Sequence, residues 1–229
     1  MNSALTTAAA SMARVVGLRA LACGAPSWIA LAHKVAPVHA AHAATAATTL
    51  TSNDSPIGMY GDPAAAAPFW RPQHSSDCGE MAVADVVGQI TGREPTERQI
   101  TSIAKITASS TDAGPIYHRR DGTDVRDLPV LLAHYGVQSS LLQANIEGLE
   151  QYLAQRHKVI AAVNAQRIWN TAGNRDIDNH VVVVTGIDTR IGVLHLNDSG
   201  ITTGRDEQVA LAAFEKSWAT SQHLAVVTA

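Results

Sequence analysis

The chain has 229 residues and a formal net charge of −3, and 46% of its residues are hydrophobic while 16% are charged. This length and apolar content suit one well-packed domain. A chain so close to neutral lacks the basic surface that attracts a phosphate backbone, so its composition argues against a nucleic-acid-binding function. The charge is unevenly distributed, because residues 1–43 contain three basic residues and no acidic one.

These first 43 residues have the pattern of a secretory signal peptide. A basic start precedes the apolar stretch ALACGAPSWIALA at residues 20–32, and small-residue sites ending at Ala40 and Ala43 follow it. This order is typical of cleaved leaders. The stretch is shorter than the roughly 20 residues that cross a bilayer. The sequence therefore predicts export, either to the outside or to the cell envelope, with no stable membrane span. An alanine-rich disordered tail is one alternative interpretation, and a true start at Met12 is the other.

Residues 44–68 are predicted to form a flexible linker. They are rich in Ala, Thr, Gly and Pro and show no apolar period from which a core could be built. The folded domain is therefore predicted to span residues 69–229. Cleavage of the leader removes Cys23 and leaves Cys78 as the single cysteine, which excludes an intramolecular disulfide.

The first half of this domain carries helix signals. Thr96 and Gln99 have the spacing of a capping box, and Gly92 and Gly136 are typical stop residues. Together with the apolar periodicity, these signals predict four helices. They begin after Asp77, Thr96, Thr123 and Asn145 and end near Gly92, Ile106, Gly136 and Arg156.

The second half carries strand signals. Short apolar or β-branched runs separated by turn residues predict strands at Lys158–Val163, His180–Thr185, Gly192–Leu196 and Leu224–Thr228, with a helix at Val209–Trp218. Residues 186–190 are predicted to join the second and third strands as a hairpin. An N-terminal helical part followed by an antiparallel sheet indicates an α+β fold.

Cys78 is the candidate nucleophile. It stands at the predicted start of a helix, where unpaired N–H groups and the helix dipole favour a negative charge. A helix N-terminus and a neighbouring imidazolium both stabilise a thiolate. An inert buried thiol is the alternative, since most lone cysteines are of that kind.

A thiolate nucleophile needs an imidazole, and the imidazole needs an orienting acceptor. His180 is the first candidate, because it heads the apolar strand VVVV and is held there rigidly; His195 is the second. The predicted hairpin brings Asn197 or Asp198 near the start of the strand of His180. Either residue could orient the imidazole, and ordinary turn chemistry is the alternative role for Asp198.

Other constellations are weaker. Asp176, Asp178 and His180 alternate along the chain, yet they lack the glycine turn and the terminal glutamate of a calcium loop. Neither a glycine-rich phosphate loop nor paired zinc-binding cysteines are found in the sequence. We therefore expect no metal and no cofactor.

These residues also resemble a known family. The Asp-Cys-Gly at a helix start, the segment His-Val-Val-Val-Val-Thr-Gly-Ile-Asp and the later His-Leu-Asn-Asp are similar to family 39 of the cysteine peptidases. That family comprises the bacteriocin-processing, or double-glycine, peptidases and their stand-alone relatives, which have a papain-like fold. The resemblance spans about residues 72–229. It implies that Cys78 attacks the peptide carbonyl, His180 transfers the proton, Asp198 orients His180 and Gln73 contributes to the oxyanion hole.

One spacing departs from the family. Gln73 lies five positions before Cys78, whereas the family's glutamine usually lies one position earlier. The resemblance implies a thiol hydrolase that acts on a peptide or protein substrate through a Cys-His-Asp triad and a thioester. With the leader pattern, we expect this enzyme to be exported, and we expect it to be a monomer. An acyl transferase or amidase with the same machinery is one alternative. A catalytically silent peptide-binding module of the same fold is the other, which the shifted position of Gln73 keeps open.

Overall fold

A seven-stranded antiparallel sheet lies at the centre of the computed structural model, which describes residues 58–229. Its strands are β1 (Met59–Gly61), β4 (Ser139–Gln143), β5 (Val159–Val163), β6 (His180–Asp188), β7 (Val193–Asn197), β8 (Glu207–Ala210) and β9 (Leu224–Thr228). The order is β4-β9-β5-β6-β7-β8, and β1 pairs with the second half of β6. A separate two-stranded sheet joins β2 (Tyr117–His118) to β3 (Gly122–Thr123).

Seven helices accompany these strands in the described part of the chain. They are α1 (Pro63–Ala66), α2 (Cys78–Thr91), α3 (Glu97–Ala104), α4 (Leu128–His134), α5 (Ile146–Ala154), α6 (Ala165–Ile168) and α7 (Leu211–Trp218). Three of the longer helices precede most of the sheet in sequence, so the predicted α+β class is confirmed. Within residues 58–229, no helix is both long enough and apolar enough to cross a membrane.

Strand β6 is the longest strand of the sheet, and all nine of its residues are buried. Its side chains alternate between two cores: Val181 and Val183 pack with α2 and α4, whereas Val182 and Val184 pack with α5 and α7. Helices therefore cover both faces of the strand, which explains why its sequence is continuously apolar instead of alternating with polar residues. The first residue of this rigid strand is His180.

Helix α2 runs across one face of the sheet and is buried from Gly79 to Gly88. Gly92 ends it in a left-handed conformation with φ 72°, as its predicted role as a stop residue requires. The capping box of Thr96 and Gln99 is also present at the start of α3. The predicted start of α2 after Asp77 is therefore confirmed, and Cys78 is its first residue.

Some predicted boundaries were wrong. Thr123 does not open a helix but lies in β3, and Asp124 caps a short 3-10 turn that leads into α4. Strands β4 and β8 were missed, and β8 occupies residues assigned to the start of the last helix. Both are the outermost strands of the sheet order and contain exposed polar residues, so they lack the apolar signal of the central strands.

The predicted linker over 44–68 needs a correction where it is described. The predicted leader and residues 44–57 lie outside the described residues. From Gly58 onward the chain contacts the domain: β1 pairs with β6, Ala66 is buried, and the carbonyl of Ala66 accepts a hydrogen bond from Asn197 Nδ2. The linker prediction is therefore wrong for residues 58–68. Strand pairing needs only a three-residue match, which is too short to leave a periodic signal.

Glycine substitutions test this docking. Gly61 has φ 83°, and a Cβ there would collide with the carbonyl oxygen of Thr185 in β6. Gly92 has a similar φ of 72°, but a Cβ would meet no atom within 4 Å. In both Ala variants the left-handed backbone lowers the free energy of unfolding by about 1 kcal/mol. Gly61→Ala also disrupts strand pairing, so its free energy of unfolding should fall by about 2–3 kcal/mol in all.

Thermal unfolding of the full chain measures the difference. We expect Gly92→Ala to lower the melting temperature by a few degrees and Gly61→Ala to lower it by roughly twice as much or more. Equal losses in the two variants would show that the β1–β6 pairing contributes nothing to stability.

Candidate active site

A cleft of about 790 Å³ opens where α2 begins and β6 begins. Cys78, His180, Gln73 and Trp169 are among the residues that line it. Cys78 is half-buried and is not part of a disulfide. As the first residue of α2 it adjoins first-turn N–H groups that have no partner within the helix and that favour a negative charge.

His180 lies between Cys78 and Asp198. Its Nε2 is 2.7 Å from Asp198 Oδ1, and both side chains are almost completely buried. Because Nε2 is taken by Asp198, Nδ1 is the ring nitrogen left for the thiol of Cys78. Burial opposes the charged ring, but the hydrogen bond to Asp198 and the electrostatic influence of Asp198 and Cys78 raise the pKa of His180 to about 10. The ring is therefore protonated at neutral pH.

Asp198 accepts hydrogen bonds at both of its carboxylate oxygens and at its backbone carbonyl oxygen. Its Oδ1 accepts from the backbone N–H of Gly200 at 2.7 Å, and its Oδ2 accepts from Trp169 Nε1 at 2.8 Å. Its carbonyl oxygen accepts from Trp70 Nε1 at 2.6 Å. Burial alone would raise the pKa of Asp198, but the hydrogen bond and charge of His180 lower it below its usual value. The carboxylate is thus fixed and ionised.

The choice between Asn197 and Asp198 is resolved geometrically. The side chain of Asn197 points away from His180: its Nδ2 donates to Asp85 Oδ2 at 2.8 Å and to the carbonyl of Ala66 at 3.0 Å. Successive side chains at the end of a strand point in opposite directions. Asp198 is therefore the neighbour of His180, whereas Asn197 connects α2 to the last residue of α1 through its two hydrogen bonds.

The second candidate histidine belongs to a different pair. His195 lies in β7, and its Nδ1 is 2.7 Å from Asp206 Oδ1. It does not line the cleft that holds Cys78. The structure therefore does not bring His195 together with the thiol.

The acidic residues before β6 do not form a cluster with His180. Asp176 is exposed and lies 3.8 Å from Arg167, and Asp178 lines the cleft. Among residues 58–229, no group of three or more His, Cys, Asp or Glu side chains is arranged to hold a metal ion.

Gln73 lies in the same cleft as Cys78 despite its shifted spacing. Its backbone N–H donates to the carbonyl of Ser199 at 2.9 Å. Its side-chain Oε1 accepts from Ser199 Oγ at 2.8 Å, and its Nε2 donates to the carbonyl of Ser75 at 2.8 Å. The segment before Cys78 is thus tied to the residue that follows Asp198.

Sequence reasoning missed Trp169 and Gly200. The ring of Trp169 lies 5.3 Å from that of His180 and covers the pair while it donates to Asp198. A Cβ on Gly200 would lie 2.8 Å from the Trp169 ring and 3.0 Å from His180 Cε1, so only glycine fits. Trp169 directly follows the short helix α6 and belongs to no strand, so the predicted strand pairing says nothing about its position relative to His180. No local signal connects these residues, because their contacts form only in the folded chain.

The titration of His180 tests the strength of the pair. In Asp198→Asn, the hydrogen-bonded negative charge is lost, so we expect the pKa of His180 to fall, as NMR titration of its ring would measure. A raised histidine pKa stabilises the fold fully below about pH 6.5 and ceases to do so as the pH rises through about 10. That alkaline loss of stability should therefore shrink in the variant.

Asp206→Asn is the matched control, since it removes the carboxylate of the other His–Asp pair. It should leave the titration of His180 as in the wild type. An unchanged pKa of His180 in Asp198→Asn would contradict the electrostatic role assigned to this carboxylate.

Comparison with known proteins agrees with this architecture. The model of the family described as "Peptidase_C39 like family" matches residues 69–226. Uncharacterized proteins of Mycobacterium bovis and Mycobacterium tuberculosis are each 44% identical, over 88% of this chain and 98% of the relative. A structure from Bacillus anthracis, described as a C39-like peptidase, is 17% identical with a TM-score of 0.57, covering 75% of this chain and 97% of that one. The predicted papain-like fold is confirmed, and the chain belongs to the Peptidase_C39-like family of cysteine peptidases.

Proposed function

We propose that the chain hydrolyses peptide bonds with Cys78 as nucleophile, His180 as general acid and base, and Asp198 as the group that orients His180. The observation that carries this proposal is the position of His180, buried between a helix-start thiol and an ionised carboxylate. A histidine with a purely structural role needs no thiol on the side of the ring opposite its carboxylate. The protonated ring beside Cys78 stabilises a thiolate, which is the reactive form of cysteine.

In the acylation step, the thiolate of Cys78 attacks the carbonyl carbon of the scissile bond. A C–S bond forms while the carbonyl electron pair moves onto oxygen. As the tetrahedral intermediate collapses, the C–N bond breaks and protonated His180 gives its proton to the leaving amine. The product is a thioester on Cys78 and a free amine.

In the second step, water attacks the thioester. Neutral His180 takes a proton from the water while the water oxygen bonds to the carbonyl carbon. The C–S bond then breaks, the acid product leaves, and the thiolate and the protonated imidazole are restored. Asp198 keeps its charge throughout, since its task is to hold the ring and stabilise its positive form.

The developing oxyanion needs donors fixed before the reaction. We assign these to the side-chain amide of Gln73 and to backbone N–H groups at the start of α2. Gln73 lines the cleft beside Cys78, and one hydrogen of its Nε2 is left after the bond to Ser75. Loss of one such donor typically slows an enzyme by about 100-fold or more.

Peptide cleavage and thiol labelling test this proposal together. The full chain is incubated with a mixed peptide library, and new termini are detected by mass spectrometry. We expect cleavage by the wild type, no cleavage by Cys78→Ala, and faster alkylation of Cys78 in the wild type than in His180→Ala. His195→Ala is the matched control and should retain both activities.

The same assay separates the alternatives. Amide products that appear only with an added amine would indicate acyl transfer instead of hydrolysis. Peptides that are bound but never cleaved, together with alkylation no faster than that of free cysteine, would indicate a silent binding module. Either result would contradict hydrolysis as the function.

Asp198 and Asn197 should differ in what their loss affects. In Asp198→Asn the imidazole loses its charged acceptor, so we expect kcat to fall by about 100-fold or more. Asn197→Ala removes the bonds to Asp85 and to the carbonyl of Ala66 and should chiefly lower the melting temperature. The reverse pattern, with activity lost only in Asn197→Ala, would contradict the role given to Asp198.

We also propose that the chain acts after export. The basic, acid-free start, the apolar stretch and the small-residue sites support this. N-terminal sequencing of the protein from culture medium or cell envelope should find a start between about residues 41 and 44. An extracellular chain that still carries Met1 or Met12 would contradict cleavage.

A further inference from the structure

Ser199 forms two hydrogen bonds with Gln73, one between the two backbones and one between the two side chains. The Ser199 carbonyl accepts from the Gln73 backbone N–H at 2.9 Å, and Ser199 Oγ donates to Gln73 Oε1 at 2.8 Å. The first contact fixes the position of the backbone. The second fixes the side-chain amide, which the backbone contact leaves free to rotate.

The two amide partners determine which way the amide faces. The carbonyl of Ser75 can only accept, so the Gln73 atom that faces it at 2.8 Å is Nε2. Oε1 then faces Ser199, whose hydroxyl can donate. Nε2 has two hydrogens and uses one of them for Ser75. The second hydrogen remains available to a negative oxygen in the cleft.

Ser199 is also the residue directly after Asp198. The short segment from Asp198 to Gly200 therefore binds both His180, through a carboxylate, and Gln73, through a hydroxyl and a carbonyl. Asp198 itself is locked by Trp169 and Trp70. Because the residue before it is fixed in this way, Ser199 has little freedom to move, and its hydroxyl is held beside the Gln73 amide.

We propose that Ser199 is a positioning residue for the oxyanion hole, which rests on the proposed peptidase function. Its hydroxyl holds the Gln73 amide with Nε2 toward the cleft. Ser199→Ala removes this donor but keeps the backbone bond between the two residues. The amide then retains one partner of two and leaves its productive orientation for part of the time.

Kinetics on a cleaved peptide test the proposal. We expect Ser199→Ala to lower kcat about tenfold with KM changed less than twofold, and Gln73→Ala to lower kcat about 100-fold. Because Ser199 acts through Gln73, the double variant should be no slower than Gln73→Ala. Ser102→Ala, which removes a hydroxyl from the exposed face of α3, is the control for loss of a serine and should match the wild type.

Two probes of Cys78 distinguish this role from a structural one. The thiolate of Cys78 attacks the aldehyde carbon of a peptide aldehyde: a C–S bond forms, the C=O π bond breaks, and its electron pair moves onto oxygen, which then carries the negative charge that the proposed oxyanion hole stabilises while His180 keeps its proton. Iodoacetamide is attacked at carbon with loss of iodide and places no charge there. We expect Ser199→Ala to bind the aldehyde version of the cleaved peptide about tenfold more weakly, while its iodoacetamide rate and its pH profile stay as in the wild type.

Each other outcome is decisive. Unchanged kcat and aldehyde affinity in Ser199→Ala, or losses that multiply in the double variant, would overturn the positioning role and leave the proposed function standing. An equal fall in the iodoacetamide rate would also overturn it, since Ser199 would then act on the thiolate or on the fold. A wild type that neither cleaves peptides nor binds aldehydes at Cys78 would overturn the proposed function and this role with it.

Discussion

The buried contact between His180 and Asp198 is the constraint on which the rest of the site depends. Both side chains are almost fully withdrawn from water, with Nε2 and Oδ1 2.7 Å apart. Each charge in such a pair depends on the other, because either one alone would be a buried charge without compensation. The fold therefore has to supply both residues together, which it does by pairing β6 with β7 and by covering the pair with Trp169.

The electrostatics of α2 suit a negative charge at its first residue. Three acidic side chains are buried along this helix or directly before it, namely Asp77, Glu80 and Asp85. Burial raises the pKa of Asp77, and it raises that of Glu80 to about 7 and that of Asp85 to about 6. Burial thus reduces the tendency of these three groups to ionise, and a protonated acid repels a nearby negative charge less than a carboxylate does. Polar contacts can therefore anchor the helix with less opposition to a negative charge at its first residue than three ordinary carboxylates would give.

The parts of the fold that were predictable from the sequence are those with local signals. Helix α2 has an apolar period and a glycine stop, β6 has a continuous apolar run, and Cys78 and His180 stand at their starts. The predicted hairpin indicated that either Asn197 or Asp198 lies near His180. Only the directions of the two side chains in the structure show that Asp198 is the one in contact with it. The place of Trp169 in the site was not predictable, since its hydrogen bond to Asp198 joins residues far apart in sequence. The short pairing of β1 with β6 was missed for the same reason.

The register between β6 and β7 determines which residue meets His180. Asn197 pairs with Val183, and the register shifts between Val184 and Gly186, where the ladder is irregular. Because strand side chains alternate, a slip of one residue would turn Asn197 toward the histidine and Asp198 toward α2. Asn197 bonded to Asp85 opposes such a slip, since the slip would place two carboxyl groups together in the core. The amide at position 197 thus secures the register that lets the next residue reach the imidazole.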